Sequence, residues 1–219
     1  MVEVYNAHEQ GEIVKKWLSE NGSAIVMGLV IAFGGLFGFK QWQTWQVNNR
    51  QQASMEFEVM GELLSTGQLD AAVANFQNLQ DDYPDSAYTS MAAMAFARAR
   101  IASNQPDLAV GLYEFVIEKG YPKALTVVAS ERLARVLLDQ GEPAAALEVL
   151  DGVQDMTGFE SRFAEVRGDI YFSQERMDEA AGAYLEALDL LEEGAGDRAK
   201  LVMKLESMGV EIPVAGSDS

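Results

Sequence analysis

Residues 127–153, VVASERLARVLLDQGEPAAALEVLDGV, contain the spacing that decides the fold. Counted from the first residue of this stretch, Ala134 stands at position 8, Gly141 at position 15, Ala146 at position 20 and Leu150 at position 24. Gly tolerates the left-handed conformation that ends many helices, so Gly141 predicts a turn between two helices. Small residues on both sides of that turn allow the two helices to approach each other closely. The stretch therefore predicts a tightly packed helical hairpin.

The same spacing occurs four times, in segments that begin at residues 53, 90, 127 and 161. Position 20 is Ala in every segment: Ala72, Ala109, Ala146 and Ala180. Position 15 suits a left-handed turn in three segments and is Glu in the fourth: Gly67, Asn104, Gly141 and Glu175. The pattern resembles the tetratricopeptide repeat, a pair of antiparallel helices over roughly 34 residues. We therefore predict an all-α tetratricopeptide-repeat solenoid of about four helix pairs, closed by a capping helix over residues 197–208.

In this repeat, positions 2, 5, 6, 9 and 12 of the first helices line the groove of the solenoid. Here these positions include two methionines and four arginines, which we predict to bind a partner: Met91, Met94, Arg98, Arg132, Arg135 and Arg162. Arg binds carboxylates with two hydrogen bonds, so an acidic or C-terminal segment is a candidate ligand, and Met adapts to varied apolar side chains. In the alternative reading, these arginines pair with Glu131, Glu165 and Asp169 and only relieve acidic self-repulsion.

Residues 24–39, AIVMGLVIAFGGLFGF, form an uncharged apolar run. At about 1.5 Å per residue the run is roughly 24 Å long, and Trp17 and Trp42 beside it suit the membrane interfaces. We predict one transmembrane helix over residues 23–45. Two alternatives are a buried core helix, which the glycines of the run disfavour, and a cleaved signal peptide. The sequence KQWQTWQ that follows lacks the small residues of a cleavage site.

The remaining segment boundaries follow from these two features. We predict an amphipathic segment over 1–22 that Asn21-Gly22 separates from the span, and a linker over 46–52. The repeat domain then covers 53–208, and a tail covers 209–219.

Small residues recur along one side of the predicted span. We predict that Gly28, Gly34 and Gly38 form a helix-contact surface, because GxxxG-like spacing allows close approach of another helix. The alternative is that Gly is simply common in membrane helices.

Charge and composition exclude several functions. The 219-residue chain carries a net charge of −18, and residues 51–219 contain 30 acidic against 12 basic side chains, which disfavours nucleic acid as a partner. The chain has no Cys, and its one His is His8, so thiol chemistry and multi-histidine metal sites are excluded. A Ser-His-Asp triad would need His8 itself. No phosphate loop or nucleophile motif occurs, so we expect no enzyme activity and no cofactor.

The complete arrangement resembles the YfgM-like family, the ancillary subunits of the bacterial Sec translocon. The matching features are the amphipathic start GEIVKKWLSENG, the Gly-rich span, the Trp-rich exit KQWQTWQ and the acidic repeats that follow. The resemblance implies a single-pass inner-membrane protein with a cytoplasmic N-terminus and periplasmic repeats. It also implies association with SecYEG and with PpiD, a membrane-anchored chaperone, and help for newly translocated client proteins.

These observations favour a membrane-anchored protein-binding scaffold. The residues themselves show only an anchored, acidic, repeat-built surface, and solenoids of this kind recruit partners. An alternative function is that of a structural assembly subunit in another inner-membrane or cell-envelope complex.

Overall fold

The computed structural model describes residues 7–191 and 198–210, with side chains from residue 11 onward. These residues form nine helices and no strand, which confirms the all-α prediction: α1 (Ala7–Ser65), α2 (Leu69–Asp82), α3 (Ala87–Ala102), α4 (Pro106–Lys119), α5 (Lys123–Asp139), α6 (Pro143–Asp151), α7 (Glu160–Ser173), α8 (Met177–Asp189) and α9 (Arg198–Ser207). The chain divides into two compact units, Met1–Gln52 and Ala53–Ser219.

The first unit consists of the N-terminal part of α1. Its apolar side chains over residues 24–39 are exposed, as Leu36 at 67% and Phe37 at 73% illustrate. The helix contains an 18-residue window with a mean hydropathy of 2.0 and no buried residue. Exposure of so many large apolar side chains has a high cost in water and none in lipid. The prediction of an N-terminal helix long and apolar enough to span a membrane is therefore confirmed.

One predicted detail of this region is wrong. The helix is not broken at Asn21-Gly22, where the Asn21 side-chain amide donates to the Trp17 carbonyl at 3.0 Å. Residues 46–52, the predicted linker, are helical, and the boundary between the two compact units follows Gln52. A single Gly lowers helix stability by only about 1 kcal/mol, so Gly22 does not stop a helix that is favourable on both sides.

The second unit contains four helix pairs. Residues 53–65 of α1 pair with α2, and the other pairs are α3 with α4, α5 with α6, and α7 with α8. The Ala at position 20 is completely buried in each second helix: Ala72, Ala109, Ala146 and Ala180. The predicted register of the repeats is confirmed, because these alanines lie in the hydrophobic clusters between helices.

The turn inside each pair has the same geometry. Its central residue has a positive φ in all four repeats: Gly67 (73°), Asn104 (59°), Gly141 (80°) and Glu175 (59°). The next amide donates to the carbonyl five residues earlier at 2.8–3.0 Å, as in Glu142 to Leu137 and Arg176 to Tyr171. This bond satisfies a carbonyl at the helix end. Glu175 adopts the turn despite its side chain, so the repeat pattern overrides the local preference for Gly.

A terminal helix covers the last pair. The predicted cap corresponds to α9, which packs on α8 and buries Leu201 and Leu205 beside Tyr184. Gly209 has a φ of 75° and Val210 donates to the Leu205 carbonyl at 3.1 Å, so the predicted tail begins with a helix-ending turn. Asp197, the predicted start of the cap, and tail residues 211–219 lie outside the described residues.

We expect Gly168→Ala to destabilise the repeat domain. A Cβ at position 168 would lie 2.5 Å from two ring carbons of Tyr184, so the buried ring must move. Such overpacking typically costs about 1–3 kcal/mol. The measurement is helical unfolding by circular dichroism of the full chain in neutral detergent.

Gly182→Ala is the matched control, because a Cβ there meets no atom within 4 Å on the exposed side of α8. We expect it to stabilise the domain by up to about 1 kcal/mol, since Ala favours a helix interior. Equal melting temperatures for the two variants would contradict the packing described for the fourth repeat.

Candidate functional site

The candidate binding surface lies on the first helices. Successive first helices contact each other, α3 with α5 and α5 with α7, and so form a continuous face. We call this face the first-helix groove. We define it by positions 2, 5, 6, 9 and 12 counted from residues 90, 127 and 161, without the core residues Met94 and Val166. It presents exposed apolar side chains of 39–45% relative exposure: Met91, Ile101 and Phe172.

Met94 does not line the groove, which corrects the sequence prediction. Its side chain is 6% exposed and packs in the main hydrophobic core. The reason is geometric: Met94 precedes Ala97 by three residues, so both lie on the side of α3 that faces the neighbouring helices. Met91, one turn earlier, remains exposed.

Glu131 holds two of the predicted groove arginines. Its side chain is 2% exposed and accepts a hydrogen bond from Arg135 Nε at 2.6 Å within α5. Its other oxygen accepts from Arg162 Nη2 in α7 at 2.9 Å. A buried carboxylate needs such partners, because an isolated buried charge is very unfavourable. Glu131 therefore joins the third repeat to the fourth and engages both guanidinium groups.

The ion pairs continue from α5 to the capping helix. Arg135 lies 3.5 Å from Asp169 and 3.7 Å from Glu165, both in α7. Lys204 of α9 donates to Glu165 at 2.8 Å, and the Tyr184 hydroxyl donates to Asp169 at 2.7 Å. We call this set the groove ion network: Glu131, Arg135, Arg162, Glu165, Asp169, Lys200 and Lys204.

The other two groove arginines are not part of this network. Within residues 7–191 and 198–210, neither Arg98 nor Arg132 forms an ion pair. Arg132 and Arg98 both lie close enough to the Tyr113 hydroxyl to act on it electrostatically. Burial raises the pKa of Tyr113, and the two arginines oppose that rise. The alternative interpretation, that the arginines pair with nearby carboxylates, thus holds for Arg135 and Arg162. Binding of a ligand by Arg98 and Arg132 stays a prediction.

Sequence reasoning missed the contribution of α9. Lys200 and Lys204 both donate to Glu165 at 2.8 Å. A signal was present, because lysines four residues apart lie on the same side of a helix. Their partners could not be read from the sequence, since Glu165 is 35 or more residues away.

The predicted membrane contact surface is open. Apart from the adjacent backbone of the helix itself, a Cβ added at Gly28, Gly34 or Gly38 would meet no atom of the described residues within 4 Å. The first unit thus leaves this side of the helix free, and a contact with another helix there stays a prediction.

The described residues contain no group of three or more His, Asp or Glu side chains that could hold a metal ion. The arrangement of the groove suits binding by charge and apolar contact.

A family model described as the tetratricopeptide repeat-like domain matches residues 15–210, which include both the apolar helix and the repeats. The chain belongs to this tetratricopeptide repeat-like family. The match extends to Val210 and so includes the capping helix as well as the four pairs.

Similar proteins carry one shared name. The chain is 26% identical over 184 residues to the ancillary SecYEG translocon subunit of Escherichia coli (strain K12), which covers 84% of this chain and 88% of that relative. It is 29% identical over 210 residues to the ancillary SecYEG translocon subunit of Neisseria gonorrhoeae, and this match covers 91% of this chain and 97% of that relative. The Haemophilus influenzae protein of that name is 28% identical over 170 residues, which are 76% of this chain and 81% of that relative. The resemblance predicted from the sequence is confirmed.

Among the described carboxylates of the repeat domain, Glu165 has the pKa that is shifted furthest from its usual value. Burial raises the pKa of Glu165, but hydrogen bonds from Lys200 and Lys204 and the charge of Arg135 outweigh burial and lower the pKa to about 2. Because this pKa lies below that of the unfolded chain, the ionised carboxylate stabilises the fold above about pH 4.5. That stabilisation is lost as the pH falls towards 2.

We expect Glu165→Gln to lower the free energy of unfolding by about 1–3 kcal/mol at about pH 7, and the difference from the unmodified chain to shrink as the pH falls from about 5 to 3. Denaturant unfolding at a series of pH values measures it. Glu186→Gln is the control, because Glu186 is exposed and forms no ion pair among the described residues. A difference that does not depend on pH would show that Glu165 does not stabilise the fold through its charge.

Proposed function

We propose that the chain is an ancillary subunit of the Sec translocon and works as a membrane-anchored protein-binding scaffold. The observation that carries this proposal is the shared name of the four relatives, ancillary SecYEG translocon subunit, over 76–91% of this chain. The match to the family model, residues 15–210, includes both the apolar helix and the repeats. A scaffold without catalysis fits this architecture, because repeat solenoids provide extended binding surfaces.

The finer function that we propose is a link between the translocon and periplasmic chaperones. The partners would be SecYEG, a PpiD-like membrane-anchored chaperone and newly translocated client proteins. The apolar helix α1 supports contact within the bilayer, and the first-helix groove supports contact outside it.

The partner-binding part of the groove that we propose is formed by Met91, Arg98 and Arg132. The two guanidinium groups have no carboxylate partner among the described residues, and Met91 is 39% exposed beside them on the same face. Arg can bind a carboxylate through two hydrogen bonds, and Met accommodates varied apolar side chains. The ligand that fits is an acidic or C-terminal peptide segment with an adjacent apolar side chain.

The location that we propose is the bacterial inner membrane, with the N-terminus in the cytoplasm and the repeat domain in the periplasm. The single apolar helix and the translocon names of the relatives support it. The Lys15-Lys16 pair before the span favours a cytoplasmic N-terminus.

We expect a phosphatase reporter fused after Ser219 to be active in the periplasm, and the chain to resist extraction by alkaline carbonate. The apolar side chains of 24–39 would hold the chain in the bilayer. A fusion after residue 10 is the control for the opposite side. An inactive phosphatase after Ser219, in a fusion that is produced and membrane-bound, would disprove the orientation, and release by carbonate would disprove the anchor.

We expect the tagged full chain to co-purify with SecY, SecE and SecG in mild neutral detergent. Substitution of Arg98→Glu together with Arg132→Gln should reduce recovery of the groove-bound partner at least about tenfold, because the loss of even one charged hydrogen bond costs about 1.5–3 kcal/mol and about 1.4 kcal/mol is tenfold in affinity. Quantitative mass spectrometry of the purified material measures both results.

The control variant combines Arg198→Glu with Lys119→Gln, which makes the same change in net charge at two exposed side chains outside the groove. It should recover all partners. If the groove variant still recovers every partner in full, the groove is not the binding surface. If envelope-synthesis proteins are recovered without translocon subunits, the proposed function is wrong and the assembly-subunit alternative is supported.

A further inference from the structure

A second, separate concavity lies beside the second helices. It is a cleft of about 1040 Å³ between the last turns of α4, the first half of α5, the end of α6 and residues 152–159. Pockets for small molecules are usually about 300–1,000 Å³, so this cleft has room for a short stretch of polypeptide. None of the residues of the proposed groove site lines it.

The floor of the cleft is apolar. Val127 and Leu133 of α5 line it and are 9% and 3% exposed. Val149, Val153 and Phe159 line it too, and these half-buried side chains pack against the main core. The floor is therefore held rigidly by the repeat domain and presents aliphatic and aromatic surface to a ligand.

The rim of the cleft is acidic. Four exposed carboxylates surround the floor against one lysine, Lys123: Glu114, Glu118, Glu148 and Asp155. In the part of the chain that the structure describes, none of the four forms an ion pair. Glu114, Glu118 and Glu148 thus present carboxylates without a cationic partner, whereas Asp155 already accepts hydrogen bonds from Thr157.

The backbone adds to the negative potential of the rim. The helices α4 and α6 both end at the cleft, and their capping residues Gly120 and Gly152 line it. The last carbonyl groups of a helix carry partial negative charge and favour a cation nearby. Hydrogen bonds from the Thr157 hydroxyl and amide lower the pKa of Asp155 and keep this rim carboxylate charged.

We infer that this cleft binds a positively charged, partly apolar stretch of polypeptide from a partner protein. Lys or Arg side chains of the ligand contact the rim, and its aliphatic side chains contact the floor. Charge complementarity selects this ligand over a second copy of the repeat domain, since residues 51–219 carry 30 acidic and 12 basic side chains and repel each other. The inference rests on the proposed scaffold function in one respect, which is that the ligand is a polypeptide.

The cleft and the groove differ in the chemistry they select. The groove offers Arg98 and Arg132 to carboxylates, whereas the cleft offers carboxylates to cations. An unfolded client chain that contains both kinds of segment can contact both surfaces.

The test is fluorescence anisotropy of a labelled flexible peptide, rich in Lys, Val and Ser, with the full chain in neutral detergent. Two matched peptides have Glu in place of Lys or Ser in place of Val. We expect the Lys-Val peptide to bind most tightly, the Lys-Ser peptide more weakly and the Glu-Val peptide not at all. Glu118→Lys together with Glu148→Lys should weaken binding of the Lys-Val peptide at least about tenfold.

The control is Glu186→Lys with Asp189→Lys, which changes the net charge equally at two exposed positions of α8. This control variant should bind the Lys-Val peptide with a Kd within about twofold of that of the unmodified chain, because contacts with the rim, and not the net charge, supply the affinity. Equal weakening by both double variants, or no binding of this peptide by the unmodified chain, would overturn the inference.

Co-purification of translocon subunits by the same variants keeps the two proposals distinguishable. We expect the cleft variant to retain SecY, SecE and SecG. Peptide binding without translocon recovery would disprove the proposed function and leave the cleft as a peptide site.

Discussion

The close approach of two helices within each repeat is the constraint on which the domain depends. It is possible only because a fully buried Ala stands at the crossing in every second helix, and because a left-handed residue reverses the chain just before it. Where the fourth repeat has Gly168 at the crossing, the Tyr184 ring occupies the space that a side chain would need. Once the helices pair in this way, the equivalent faces of successive repeats stack along the array. This stacking forms surfaces that no single repeat could provide.

That stacking also organises the charges of an acidic domain. The contacts of α7 with α5 and with α9 place cationic side chains next to Glu131, Glu165 and Asp169. Arg135 and Arg162 in the first-helix groove thus connect successive helices, whereas Arg98 and Arg132 form no ion pair among the described residues. The acidic cleft beside α4 and α6 lacks such internal cations, apart from Lys123.

Much of the fold could be predicted from the sequence, because the repeat pattern is local and recurs. The four alanines and the turn residues determined the register, and even Glu175 follows it. The uninterrupted helix through Asn21-Gly22 could not be predicted, since a turn signal is overruled when both flanks favour a helix.

The site was harder to predict than the fold. Met94 shares the buried side of α3 with Ala97, and the pairing of Arg135 and Arg162 depends on contacts between helices that are distant in sequence. Local patterns show which residue types are present on a face, but not which of them another repeat neutralises.

The most direct measurement is site-specific photo-crosslinking in intact inner membranes. A photoreactive amino acid replaces Met91 in the first-helix groove or, as a control, the similarly exposed Met177 at the start of α8. We expect the probe at position 91 to crosslink a translocon subunit or a chaperone bound to it, and the probe at position 177 to give no such product. Crosslinks of equal yield from both positions, or from neither, would contradict a protein-binding role for the groove.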